Sequence, residues 1–302
     1  MSAHHHITDE RRLFWAMLLT GSFMIAEVAG GLVSGSLALL ADAAHMLTDM
    51  LALGLAWVAA KVARRPADRL RSYGYHRVQI ISALVNGLAA VGLVLWILYE
   101  AIHRLFNPLE VMGDVMLVIA VLGLVVNAIV FQILHQGGER NLNIRAALIH
   151  VLGDMLGSVA AIIAGIVIVT LGWTLIDPLL SCFIALIIFR SAWKVIGQSI
   201  HILLEGAPDE LDVEVIRTTL INGIPAVCDV HHVHLWSLTP EQPVLTMHVT
   251  VAAGTDTDTA LAHVKMMLAS RFAIAHSTVQ IEQHCCADAQ RGDPGFCQAP
   301  HA

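Results

Sequence analysis

Over the first two thirds of the chain, hydrophobic positions fall in long unbroken runs rather than in the amphipathic stripes of a soluble fold. A helix crossing about 30 Å of hydrocarbon needs roughly 20 apolar residues. Six stretches meet that length, at about 13–34, 37–60, 78–103, 112–134, 144–171 and 174–200. Turn residues punctuate the connections: Ser34-Gly35-Ser36, Arg64-Arg65-Pro66, Asn107-Pro108 and Gly137-Gly138. The first stretch runs through Gly30-Gly31 without a small-residue cleavage site and meets another span at once, so it reads as a membrane helix and not a cleaved leader.

After Glu205 the pattern changes. Charges return, and Gly206-Ala207-Pro208 marks the junction. The periodicity then predicts helix (about 210–222), strand (227–238), strand (243–253), helix (257–272) and strand (276–284). In the first strand Val230, His232, His234 and Trp236 alternate with His231, Val233, Leu235 and Ser237. An α-β-β-α-β order predicts a small two-layer α+β domain. The expected organisation is a His-containing tail (1–12), a six-helix transmembrane domain (13–203), a cytoplasmic domain (204–286) and a flexible end (287–302).

Composition agrees with this division. The 302 residues are 57% hydrophobic and 14% charged, against about 25% charged in a typical soluble domain. That excludes an ordinary soluble enzyme and a disordered chain, and no basic stripe suggests nucleic acid. The net charge of −7 matters less than where the cations lie. Arg11 and Arg12 precede the first span; Lys61, Arg64, Arg65, Arg69, Arg71 and Arg77 fill the 61–77 connection; Arg140 and Arg145 flank the fourth. The alternate connections hold Arg104 and little else. The positive-inside bias then places both termini in the cytoplasm.

Ionisable residues inside a span are functional candidates, since an Asp at a helix centre costs roughly 2.5–3.5 kcal/mol on insertion scales. Span two carries His45 and Asp49, and span five carries His150 and Asp154. The i, i+4 spacing puts each pair on one face, a turn apart. Asp42 shares that face and is a pathway or proton-relay candidate. If the two faces meet, two imidazoles and two carboxylates converge, a donor set that suits tetrahedral Zn2+ and cancels its charge. Small residues (Ala52, Ala56, Gly157, Ala161, Gly165) permit the approach. Glu27, Asn86 and Asn127 read as pathway-lining or packing groups.

These residues resemble the cation diffusion facilitator family, in its branch of bacterial zinc exporters. The resemblance is carried by Ala41-Asp42-Ala43-Ala44-His45-Met46-Leu47-Thr48-Asp49 with His150-Val151-Leu152-Gly153-Asp154. It continues through Leu203-Leu204-Glu205-Gly206-Ala207-Pro208 and His232-Val233-His234-Leu235-Trp236. It implies six spans, a cytoplasmic ferredoxin-like domain, a homodimer in a bacterial inner membrane, and Zn2+ export in exchange for protons at the positions of His45, Asp49, His150 and Asp154. In the cytoplasmic domain it implies a metal site matched by His234, His248, His276 and Glu282. Of the adjacent cysteines at most one is expected to serve, with Cys285 the candidate. His231, His232, His263 and His284 read as surface histidines, and Cys182 as a small core residue.

Two departures matter. Some members bind metal in the second connection with a D-x-x-H-x-x-x-H pattern. Here Asp68 is followed by Arg71 and Tyr75 at the histidine positions, so no metal is expected there. The fourth connection is short, which leaves His4-His5-His6 as the histidine-rich element. The rival readings are a membrane metalloenzyme and a metal sensor that does not transport. The first lacks a His-Glu-x-x-His motif, and a filled tetrahedron leaves no place for a catalytic water.

Overall fold

A computed structural model describes residues 2–135, 142–283 and 286, with side chains described from Trp15 onward except 142–147 and 149. Six long helices come first: α1 (Ser2–Ser34), α2 (Leu37–Ala63), α3 (Val78–Phe106), α4 (Gly113–His135), α5 (Leu142–Leu171) and α6 (Ile176–Leu203). Each contains a stretch long and apolar enough to span a membrane. A second set follows: α7 (Val213–Gly223), β1 (Val227–Thr239), β2 (Gln242–Val251), α8 (Thr257–Phe272) and β3 (His276–Glu282). The protein is thus a polytopic helical membrane protein with a carboxy-terminal α+β domain. One difference from the sequence reading is at the start, where α1 begins at Ser2 and not near residue 13. No Pro or Gly interrupts residues 2–20, so nothing in that stretch stops the helix.

Two compact units divide the chain, residues 1–58 with 82–196, and residues 59–81 with 197–302. In the first, α2 is shared by two apolar clusters. Ala38 and Leu39 pack with Met116 and Ala120 of α4 and with Ala161 and Ala164 of α5. Ala41 packs with Val94 and Ile97 of α3 and with Ala185 and Ile188 of α6. Alanine is the commonest residue in both clusters, as expected where helices in lipid associate by close backbone approach. Large side chains such as Trp57 and Phe183 point outward, as a lipid-facing surface requires.

Glycines set the tightest contacts. A Cβ on Gly30 of α1 would lie 2.5 Å from Ile119 Cγ1 of α4, and one on Gly123 would lie 2.9 Å from Phe23 Cζ. Gly30→Val should therefore force α1 and α4 apart and destabilise the bundle by about 1–3 kcal/mol. Thermal unfolding in detergent measures this, and an unchanged midpoint would contradict the packing described.

The start of α2 is fully satisfied. Gly35 has φ of +71°, which makes the turn after α1. Ser36 Oγ accepts from Leu39 N at 3.2 Å, as an N-cap does. The remaining donors go to a distant residue: Asp177 of α6 accepts from Leu37 N at 2.8 Å, Ala38 N at 3.2 Å and Ser36 Oγ at 2.5 Å. Asp177 is fully buried, and its carboxyl oxygens sit at the positive end of α2.

In the second unit the sheet order is β1-β2-β3. β1 and β2 are antiparallel, while β3 is parallel to β2, so α8 serves as the crossover between them. Val230, Leu235, Leu245, Met247 and Val249 face Ile216 and Leu220 of α7 and Val264 and Leu268 of α8. Asp212 caps α7, accepting from Glu214 N at 2.8 Å. Asp256 caps α8, and the Thr259 hydroxyl and amide hold its carboxyl below the usual range. Leu220→Ala at this fully buried position should cost about 2–5 kcal/mol of domain stability, read by chemical denaturation.

Candidate metal centres

The first cluster lies inside the membrane unit. His150 Nε2 is 3.3 Å from Asp49 Oδ2 and 3.6 Å from Asp154 Oδ2, and His45 Nε2 is 3.7 Å from Asp49 Oδ2. The two imidazoles meet edge to face with centroids 5.9 Å apart. Donor atoms of His45, Asp49 and His150 all lie within 4.8 Å of one another, and the buried Asp154 adjoins through His150. Four ligands at about 2.0–2.1 Å from a tetrahedral Zn2+ are about 3.3–3.4 Å from each other. The three separations observed, 3.3, 3.6 and 3.7 Å, lie at or somewhat above that edge length. Asp42 Oδ1 is 3.8 Å from where a Cβ on Gly157 would sit, and Glu27 of α1 is buried.

The second cluster is on the sheet, and its membership differs from the expectation. His231 Nε2 is 3.2 Å and His248 Nδ1 is 3.1 Å from the two Glu282 carboxylate oxygens. Cys286 Sγ is 3.4 Å from His248 Nδ1 and 3.9 Å from His232 Nδ1. His231, His248, Glu282 and Cys286 offer donors within 4.8 Å of one another. His248 and Glu282 belong to the expected set; His231 and Cys286 do not. Cys285, His284 and Cys297 lie outside the described residues, as do Gly137, Gly138 and Arg140 of the fourth connection.

Strand geometry explains the change. His232 has φ of +48° and sits in a register break between His231 and His234. This bulge adds a residue to β1. His231 pairs with His248 and His234 with Thr246, so both histidines face the same side despite their odd spacing. A strict period of two would put them on opposite sides. His234 lines a cavity of about 240 Å³ with His232 and His248 and lies outside the four-donor group. His276 opens β3 and Glu282 closes it, about 20 Å apart at 3.3 Å per residue. That distance keeps His276 out; its ring meets Tyr73 edge to face instead.

The α2–α3 connection has internal partners for its one candidate carboxylate. Asp68 accepts from the Tyr75 hydroxyl at 2.6 Å and from Leu70 N and Arg71 N at 2.8 Å. The Arg71 guanidinium is 3.5 Å from Asp68 and lies over the Tyr75 ring. The Tyr75 hydrogen bond, then that from Leu70 N, hold the Asp68 carboxyl below its ordinary value.

Fold and clusters together define a polytopic membrane protein with a histidine-rich soluble domain. The chain belongs to the cation efflux family: the family model for the "Cation efflux transmembrane domain" matches residues 13–204, and that for the "Cation efflux protein, cytoplasmic domain" matches 208–284. It is 48% identical over 280 residues to a "Zinc transporter ZitB" of Yersinia pestis, covering 92% of this chain and 89% of that one. It is 46% identical to the protein of the same name in Escherichia coli, with 92% and 89% covered. A "Metal cation efflux system protein CzcD" of Cupriavidus metallidurans is 40% identical over 95% of this chain and 91% of its own. These relatives are named for transport and efflux, not for catalysis.

Proposed function

We propose that the protein exports Zn2+ from the cytoplasm by alternating access, exchanging it for protons at His45, Asp49, His150 and Asp154. The observation that carries this reading is the convergence of His45, Asp49 and His150 donors within 4.8 Å of one another, with Asp154 3.6 Å from His150, near the edge length of a tetrahedral zinc site. The zinc-transporter names of the relatives support the cargo. A Bacillus subtilis relative, 39% identical, is named a "Cadmium, cobalt and zinc/H(+)-K(+) antiporter", which supports the exchange.

Only neutral imidazole and ionised carboxylate bind the ion, so metal and protons compete for the same atoms. Histidine titrates near physiological pH, and a modest proton gradient can then drive release. Asp42, three residues before His45 on α2, is the candidate for passing protons to the site. The arginine distribution supports cytoplasmic termini in a bacterial inner membrane. The match to the family's cytoplasmic domain supports a homodimer, with metal at His231, His248, Glu282 and Cys286 as a regulatory ligand.

The test is flux into proteoliposomes across a panel of divalent ions at two pH gradients. Zinc uptake against an opposed proton gradient is expected, falling as the metal-loading side is acidified and imidazoles protonate. Metal binding without flux would leave a sensor as the better reading.

A further inference from the structure

The two clusters carry the same ligand charge but differ in softness. In the membrane, two carboxylates join two imidazoles, all nitrogen and oxygen donors. On the sheet, one carboxylate and one thiol, Cys286, join His231 and His248. Once the thiol ionises on metal binding, both sets supply two negative charges and two neutral nitrogens, so electrostatics does not separate the ions they accept. Sulfur does: a thiolate favours softer ions, whereas carboxylate and imidazole favour harder and borderline ones.

From this we infer that Cys286 makes the cytoplasmic cluster a cadmium-preferring site, so that the protein ranks Cd2+ and Zn2+ differently at its two centres. The inference rests on the reading that the sheet cluster binds metal. Its placement is specific to this cysteine. Cys286 is buried, with Sγ 3.4 Å from His248 and 3.9 Å from His232, whereas Cys228 on β1 is exposed. The soluble domain would then register a soft toxic ion at concentrations where zinc leaves it empty, while the membrane site still selects by nitrogen and oxygen.

The experiment uses full-length protein in detergent carrying Asp49→Ala and Asp154→Ala, which removes the membrane site from the titration. Cd2+ is added and the thiolate-to-cadmium charge-transfer absorption is followed, then Zn2+ competes it away. One equivalent of absorption is expected, surviving Cys285→Ser and Cys228→Ser and lost in Cys286→Ser. Cys286→His should keep zinc binding while lowering the cadmium-over-zinc ratio by at least about tenfold. Circular dichroism of each metal-free variant checks the fold. Absorption that persists in Cys286→Ser, or a ratio unchanged in Cys286→His, overturns the inference. One equivalent of Cd2+ bound to the unsubstituted cluster without charge transfer also overturns it, yet leaves the cluster a metal site. No binding there at all sinks both, and proteoliposome flux judges the transport reading separately.

Discussion

Proteoliposomes carrying Asp49→Ala or Asp154→Ala should lose zinc flux by at least about 100-fold, more than the 10–100-fold seen when an outer-shell partner of a metal is removed. Each substitution removes one of the two negative charges that offset a divalent ion where water is scarce. Asp49 has the larger part, because its Oδ2 faces both His45 and His150. Thr48→Ala, next door on α2, removes only a hydroxyl bonded to the His45 carbonyl and should leave flux within about twofold. Transport retained in both aspartate variants would remove the quartet from the mechanism.

The second large effect is expected far from any proposed ligand. Asp177→Ala would strip the acceptors from Leu37 N, Ala38 N and the Ser36 hydroxyl at a fully buried helix start. A buried donor left unsatisfied costs about 1–3 kcal/mol, so the variant should lose about 2–5 kcal/mol of stability. Asp177→Asn keeps one carbonyl oxygen but turns an amide donor toward an N–H, and should fall between. Thermal unfolding in detergent orders the three proteins. If alanine proves as stable as aspartate, the cap contributes nothing.

Much of this architecture was legible because its signals are periodic. A span needs only length and apolarity, and α2 through α6 begin and end within a few residues of the stretches read from hydropathy. The α-β-β-α-β order of the tail was equally plain. The His-x-x-x-Asp repeats were readable because i, i+4 spacing fixes a shared face on any helix. What escaped were features that depend on a single backbone angle or on partners remote in sequence. The bulge at His232 needs a positive φ, uncommon outside glycine, and without it His231 counts as facing away from His234. Asp177, ahead of Pro178, suggests only the beginning of its own helix. Nothing local reveals that its carboxylate closes the end of another, 140 residues away.

In the proposed transport cycle that carboxylate would make α2 a lever. A helix held at its first turn swings about the hold, and at about 1.5 Å per residue His45 and Asp49 lie about 12 and 18 Å from Leu37. A tilt of about 10° moves them by about 2–3 Å, whereas zinc ligands must keep their distances to about 0.2 Å. On the proposed transport reading, a fixed fulcrum would turn a small angular change into an all-or-none loss of coordination, with no need to unwind the helix that carries the proposed ligands.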